Sequence, residues 1–157
     1  MAEEKWLSAA EQESWLALVG TILRLPTQLD AQLTKRANLT FFSYLVLAML
    51  SESPDRTLTM TELANQTSSS ASRLSHVVSK LEKRGWIRRN PSPDDRRVTL
   101  ATLTDAGWEG IVDTAPSHVA HVRQLIYSQL TEQDVADLTR VLTKITTNVE
   151  SCPAPTL

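Results

Sequence analysis

Residues 67–85 read Thr67-Ser68-Ser69-Ser70-Ala71-Ser72-Arg73-Leu74-Ser75-His76-Val77-Val78-Ser79-Lys80-Leu81-Glu82-Lys83-Arg84-Gly85. Thr67–Ser70 cluster side chains that bond to nearby backbone groups and so favour a turn and a fresh N-cap over helix interior. A helix is expected from there to about Arg84, closed by Gly85 as a left-handed C-cap, with Lys80, Lys83 and Arg84 complementing the dipole of its last turns. Ala71, Leu74, Val78 and Leu81, with Val77 beside them, make one apolar stripe. Opposite stand Ser69, Ser72, Arg73, Ser75, His76, Ser79 and Lys80, short donors and acceptors or cations. Such a helix buries one side and offers the other to a polar, negatively charged surface.

Upstream, Leu58-Thr59-Met60 is a short extended piece. Thr59 or Thr61 caps a helix reaching Asn65, and Glu62, three residues after Thr59, completes a capping box. Thr40 is an N-cap candidate for the apolar run Phe41–Leu50, which ends before Ser53-Pro54. From Ala9 to Leu33, Trp15, Leu16, Val19, Ile22, Leu23, Leu25 and Leu29 recur every three or four residues, the pattern of a helix with one buried stripe. Pro26 lies inside that stripe and predicts a kink or break near Leu25.

Downstream, Trp86-Ile87-Arg88-Arg89 and Val98–Leu103 alternate apolar or β-branched with polar residues around the turn-rich Asn90-Pro91-Ser92-Pro93-Asp94-Asp95, which predicts a β-hairpin. Thr104 and Asp105 open a helix carrying Trp108, Ile111, Val112, Val119, Val122, Leu125 and Ile126, with Pro116 as an expected bend. A last helix starts at Thr131, with Asp134 three residues on, and runs to Glu150 through Val135, Leu138, Val141, Leu142, Ile145 and Val149. The tail 151–157 is expected to be disordered.

Two short helices joined by a tight polar turn and followed by a hairpin make a winged helix-turn-helix, in a mainly α chain with a small β-hairpin wing. The second helix of such a motif enters the DNA major groove, its N-terminal half reading base edges and its later turns meeting phosphates. The expected DNA-binding residues are Ser69, Ser70, Ser72, Arg73, Ser75, His76 and Lys80, together with Arg96 and Arg97 at the hairpin tip. A guanidinium there suits a narrow minor groove of strong negative potential, and Asp95 is placed to hold Arg97 by a bidentate pair.

Charge distribution agrees with a double-stranded DNA partner. The 157-residue chain has a net charge of −2, yet Ser70–Leu100 holds eight basic and three acidic residues, a net of +5 that leaves −7 elsewhere. With 41% hydrophobic and 22% charged residues, the composition is that of a globular protein and excludes collagen-like, coiled-coil and disordered classes. No apolar run is long enough to span a membrane, and Glu3 and Glu4 replace the basic start of a secretory signal, so a cytoplasmic protein without a membrane partner is expected. Cys152, the only cysteine, lies beside Pro153 and Pro155 and excludes an intrachain disulfide and a cysteine metal cluster.

No glycine-rich phosphate loop or placed Ser-His or Cys-His set indicates catalysis, so neither an enzyme nor a cofactor is expected. His118 and His121 share a helix face but have no third ligand at a suitable spacing, so no metal site is assigned; they read as surface or dimer-interface residues. Trp6, Trp15, Phe41, Phe42 and Tyr44 suit a core, the alternative being a pocket for an aromatic effector.

Leu63-Ala64, Ser70-Ala71-Ser72-Arg73-Leu74, Leu81-Glu82-Lys83-Arg84-Gly85-Trp86-Ile87, Asp95-Arg96-Arg97 and Leu103-Thr104-Asp105-Ala106-Gly107 together resemble the multiple antibiotic resistance regulator (MarR) family over nearly the whole chain. The Asp-x-Arg wing followed by a Leu-Thr-x-x-Gly junction is the more specific part. The resemblance implies recognition from Ser69–His76, minor-groove insertion by Arg97, and a homodimer formed by helices from both chain ends, residues 5–37 and 104–150, around a DNA-binding lobe at 38–103 of a single domain, 1–157. It further implies a repressor that leaves an inverted-repeat operator when a small aromatic or phenolic anion binds between the dimer region and the lobe. Thiol-sensing relatives keep a reactive cysteine near the N-terminus, which this chain lacks. The rival reading is a winged helix that docks an acidic protein; steep salt dependence with duplex DNA separates the two.

Overall fold

The computed structural model describes residues 6–151, so Glu3, Glu4, Cys152 and the rest of the tail lie outside the described residues. Helix α1 (Ala9–Ala37) leads to α2 (Phe41–Glu52), a 3-10 turn (Pro54–Arg56), strand β1 (Thr57–Thr59), α3 (Met60–Gln66), α4 (Ala71–Lys83), β2 (Ile87–Pro91), β3 (Thr99–Leu103), α5 (Asp105–Leu125), a second 3-10 turn (Tyr127–Gln129) and α6 (Glu132–Ser151). The chain forms two compact units, one ending at His118 and one beginning at Val119.

Side-chain caps set many of the helix starts. The hydroxyls of Ser8, Thr40, Thr59 and Ser70 accept the amides of Glu11, Ser43, Glu62 and Arg73, and the Ser8–Glu11 and Thr59–Glu62 pairs are reciprocal capping boxes. Thr131 and Asp134 form the same reciprocal pair at the start of α6. At Glu11, Glu62 and Asp134 these bonds hold the carboxyl below its ordinary range.

In the first unit the core gathers Leu33, Val46, Leu47, Leu50, Leu63, Leu74, Val78, Leu81, Ile87, Ala101, Leu103 and Ile111 from α1 to α5. The sheet is three-stranded and antiparallel, in the order β1-β3-β2. Beyond the expected hairpin, in which Arg89 faces Ala101, Leu58 also faces Ala101 from the other side and the Thr57 hydroxyl bonds that of Thr102 at 2.9 Å. The extended piece before α3 is thereby recruited as an edge strand.

Several sequence expectations need correction. Helix α1 is not broken at Pro26; a proline removes one donor, and the remaining ladder carries the helix past it. The periodic stripe of α1 is only partly buried: Leu29 and Leu33 are enclosed, while Trp15, Leu16, Ile22 and Leu23 are exposed. Ser151 closes α6 and is not part of a disordered tail.

His118 is a core residue, not a surface one. It is buried, its ring lies 4.3 Å from that of Tyr44, and its Nδ1 is 3.3 Å from Gln32 Oε1. His121, three residues on, is half-buried. Phe42 belongs to the core, with Phe41 and Tyr44 packed against it, whereas Trp6 and Trp15 are exposed. In the second unit α6 has no buried residue, and Leu138, Val141, Leu142, Ile145 and Val149 stand exposed along it.

Candidate nucleic-acid interface

Both ends of the turn-and-helix segment are built by backbone closure. Ser68 takes the left-handed conformation at φ 46°, with its amide on Asn65 O and that of Ser69 on Ala64 O, so α3 ends in a Schellman motif. Helix α4 ends the same way, with Gly85 at φ 78°, its amide on Glu82 O and the Trp86 amide on Leu81 O. Between them Leu74, Val78 and Leu81 are buried. Ser72, Arg73, Ser75, His76 and Lys80 are exposed, Ser69 is half-buried beside Thr67, and Ser70 is the N-cap.

Two grooves flank this helix. One, of about 710 Å³, is lined by Asp30, Phe41 and Phe42 on one side and by Ser72, Arg73 and His76 on the other. There Asp30 Oδ1 accepts the Phe41 amide at 2.6 Å, and the Arg73 guanidinium lies 4.2 Å from the Phe42 ring centroid. The other, of about 600 Å³, separates α3 and α4 from the wing and brings together Thr61, Asn65, Ser69, Ser75 and Arg97. Thr61 and Asn65 did not enter the sequence-based set. Their spacing of four on α3 puts them on one face, and that was the available signal.

At the wing tip, Arg97 and Asp95 pair as expected. Arg97 Nη2 donates to Asp95 Oδ2 at 2.9 Å, its Nε to Oδ1 at 3.1 Å, and its amide to Oδ1 at 3.0 Å. These bonds hold the Asp95 carboxyl below the usual carboxylate range and raise the arginine further. The Arg97 side chain is still 91% exposed, so the pair orients the guanidinium without hiding it. Arg96 beside it is exposed too.

The cationic stretch is less available than its charge count suggests. Arg84 stacks on Trp86 at 3.7 Å and donates to the carbonyls of Ala37 and Asn38. Arg89 is bound to Glu82 and Ser79, so the Ser79 hydroxyl on the polar face is engaged by the wing. Lys80, Lys83, Arg88 and Arg96 remain exposed. Among the described residues, no helix is long and apolar enough to cross a membrane, and no three His, Cys, Asp or Glu side chains are grouped to hold a metal ion.

A short helix, a capped turn, a second helix with a polar outer face and a three-stranded wing define a winged helix-turn-helix. The profile of the MarR family matches residues 39–99. The chain is 38% identical to Sco3205, a MarR family transcriptional regulator from Streptomyces coelicolor whose crystal structure is in complex with DNA, with a TM-score of 0.92 over 98% of this chain and 96% of that one. It is 34% identical to AbsC, a MarR family transcriptional regulator from the same organism, with a TM-score of 0.89 over 94% and 99%. Among curated relatives, the transcriptional regulator MhqR of Bacillus subtilis is 36% identical over 49% of this chain, and the transcriptional repressor MprA of Escherichia coli is 27% identical over 68%. The matched stretches span 52% and 60% of those two proteins, less than two thirds of either. This chain belongs to the MarR family.

Proposed function

We propose that this chain is a sequence-specific repressor of transcription that binds double-stranded DNA as a homodimer and is not an enzyme. The observation that carries the reading is the shared groove in which Ser69 and Ser75 face the wing-tip Arg97. Helix α4 then lies in a major groove, with Ser72, Arg73, Ser75 and His76 toward base edges and Lys80 toward a phosphate, while Arg97, held by Asp95, enters the neighbouring minor groove. A DNA partner puts its work in the cytoplasm.

The dimer reading, with residues 5–37 and 104–150 as the pairing region around a 38–103 lobe, is supported by large apolar side chains left uncovered in the single chain. Trp6, Leu7, Trp15, Leu16, Ile22 and Leu23 are exposed in the first unit, as are Leu138, Val141, Leu142, Ile145 and Val149 on α6. Large apolar side chains exposed at this density along a helix mark an interaction surface. Two copies present two α4 helices roughly 34 Å apart, so the operator is an inverted repeat.

The groove between Phe41, Phe42 and Arg73 is the effector site of this reading. Its aromatic walls suit a ring, and Arg73 and His76 suit a carboxylate or phenolate.

Selection from random duplexes followed by a salt series tests the whole reading. An inverted repeat should be enriched, with log affinity falling by about 0.9 per neutralised phosphate against log salt. Recovery of no preferred sequence, with weak binding at every salt concentration, returns the fold to the role of a protein-docking module. Phenolic acids that release the repeat identify the effector class.

A further inference from the structure

Arg89 is one of the eight basic residues of Ser70–Leu100, whose summed charge suits a phosphate-binding face. Its surroundings assign it a different task. Strand β2 is an edge of the sheet, and on its outer side the Arg89 amide donates to Glu82 Oε1 at 3.1 Å. Edge strands leave such amides without a ladder partner, and here a carboxylate on α4 takes the place of the missing strand. Arg89 Nε and Nη2 then donate to Glu82 Oε2 at 3.0 and 2.6 Å, and Nη2 also reaches Ser79 Oγ at 3.1 Å. Ser79 and Glu82 are three apart, hence neighbours on one face of α4. One residue of the wing thus grips two successive turns of the helix through its backbone and its side chain.

The electrostatics point the same way. Both side chains are about two thirds covered, and the arginine holds the Glu82 carboxyl below its ordinary range. Were the guanidinium to swing out to a phosphate, it would leave an unpaired carboxylate facing the DNA. The Nε and Nη2 donors are taken by Glu82 and Ser79, which leaves Nη1 for any further acceptor. Arg89 and Arg97 line the same groove, so this contact lies between the helix that carries Ser75 and the hairpin that carries Arg97.

We infer that Arg89 is a positioning residue: through Glu82 and Ser79 it fixes the angle between α4 and the wing, and so the register in which the two reach adjacent DNA grooves. Its consequence for DNA rests on the binding mode proposed above; its consequence for the free protein does not.

The test uses the full chain. In the free protein, residual dipolar couplings from α4, β2 and β3 should fit one common alignment frame. In Arg89→Met, and more mildly in Ser79→Ala, residues 88–100 of the wing, outside the core positions Ile87, Ala101 and Leu103, should need a frame of their own while α4 and the core still agree. A single frame retained in both variants overturns the inference, and if Arg89→Met does not fold, Ser79→Ala decides alone. On the selected inverted repeat, Arg89→Met should keep major-groove protection but lose hydroxyl-radical protection in the flanking minor groove. With Arg96 and Arg97 already replaced by alanine, the wing's own cations no longer count. On that background, adding Arg89→Met should leave the salt slope unchanged, whereas adding Lys80→Ala should lower it by about 1.8, or about 0.9 for each of the two phosphates per dimer. A slope reduced in Arg89→Met as in Lys80→Ala makes Arg89 a phosphate contact and overturns the inference. Wild-type protein that protects no repeat refutes the DNA-binding reading, and the alignment frames still decide the brace.

Discussion

The guanidinium of Arg73, in the first turn of α4, lies 4.2 Å from the centre of the Phe42 ring in α2. A residue expected to face only DNA therefore also packs on the lobe's own core. Arrangements of this kind at exposed sites are worth about 0.5–1 kcal/mol. A double-mutant cycle with Arg73→Ala and Phe42→Leu, read by urea unfolding, should return a coupling of about that size. Additive effects would mean that the stacking contributes nothing in solution.

Arg97 should matter for DNA and not for folding. It is exposed at the tip and bonded only locally to Asp95. Arg97→Ala is expected to weaken operator binding by about 10- to 100-fold while leaving the melting temperature and the dimer intact. Asp95→Asn should cost less, since it removes the orienting partner and keeps the cation. Equal affinity for wild type and Arg97→Ala would take the wing out of the binding mode.

Acid sensitivity follows from the capping carboxylates. Glu62 is held below its ordinary range by Thr59, so the unfolded chain takes up a proton there before the folded one does. The cap's contribution is complete at neutral pH and is lost as pH falls below the ordinary carboxylate range toward the depressed folded value. Urea midpoints measured from pH 7 down to 3 should therefore fall less steeply for Glu62→Gln than for wild type. Parallel acid limbs would show that the cap does not couple to protonation.

Ser68 occupies the left-handed position that closes α3 at φ 46°, where a side chain costs roughly 1 kcal/mol relative to glycine. Ser68→Gly should raise unfolding stability by up to about that amount. A loss of stability instead would assign the Ser68 side chain a bond that offsets its strain.

Much of this architecture was legible because local chemistry and tertiary packing agree. Thr40, Thr59–Glu62, Ser70 and Gly85 cap or close the helices that the sequence predicts around them, and Asp95-x-Arg97 makes its pair within three residues. What escaped depends on contacts distant in sequence. Nothing in Leu58 announces that it will face Ala101, and nothing local distinguishes Arg89, seven residues from its carboxylate, from Arg88, which is exposed. His118 was misplaced because its partners, Gln32 and Tyr44, lie more than seventy positions away. Apolar periodicity likewise reports that α1 and α6 have a face to cover without saying whether this chain or another one covers it.

The two ends of the wing meet. Thr104, where the last strand leaves, donates its amide to the Trp86 carbonyl and its hydroxyl to the Gly85 carbonyl at 2.7 Å, and a side chain at Gly107 would strike that same Trp86 carbonyl. The hairpin between them is therefore a cassette with a fixed footprint: entry and exit are clasped at one point while its tip is free to vary. Tips of other lengths or sequences grafted between Pro91 and Thr99, beyond the core positions Ile87, Ala101 and Leu103 and beyond Arg89, should leave the lobe undisturbed, and under the binding mode proposed above they exchange its minor-groove preference.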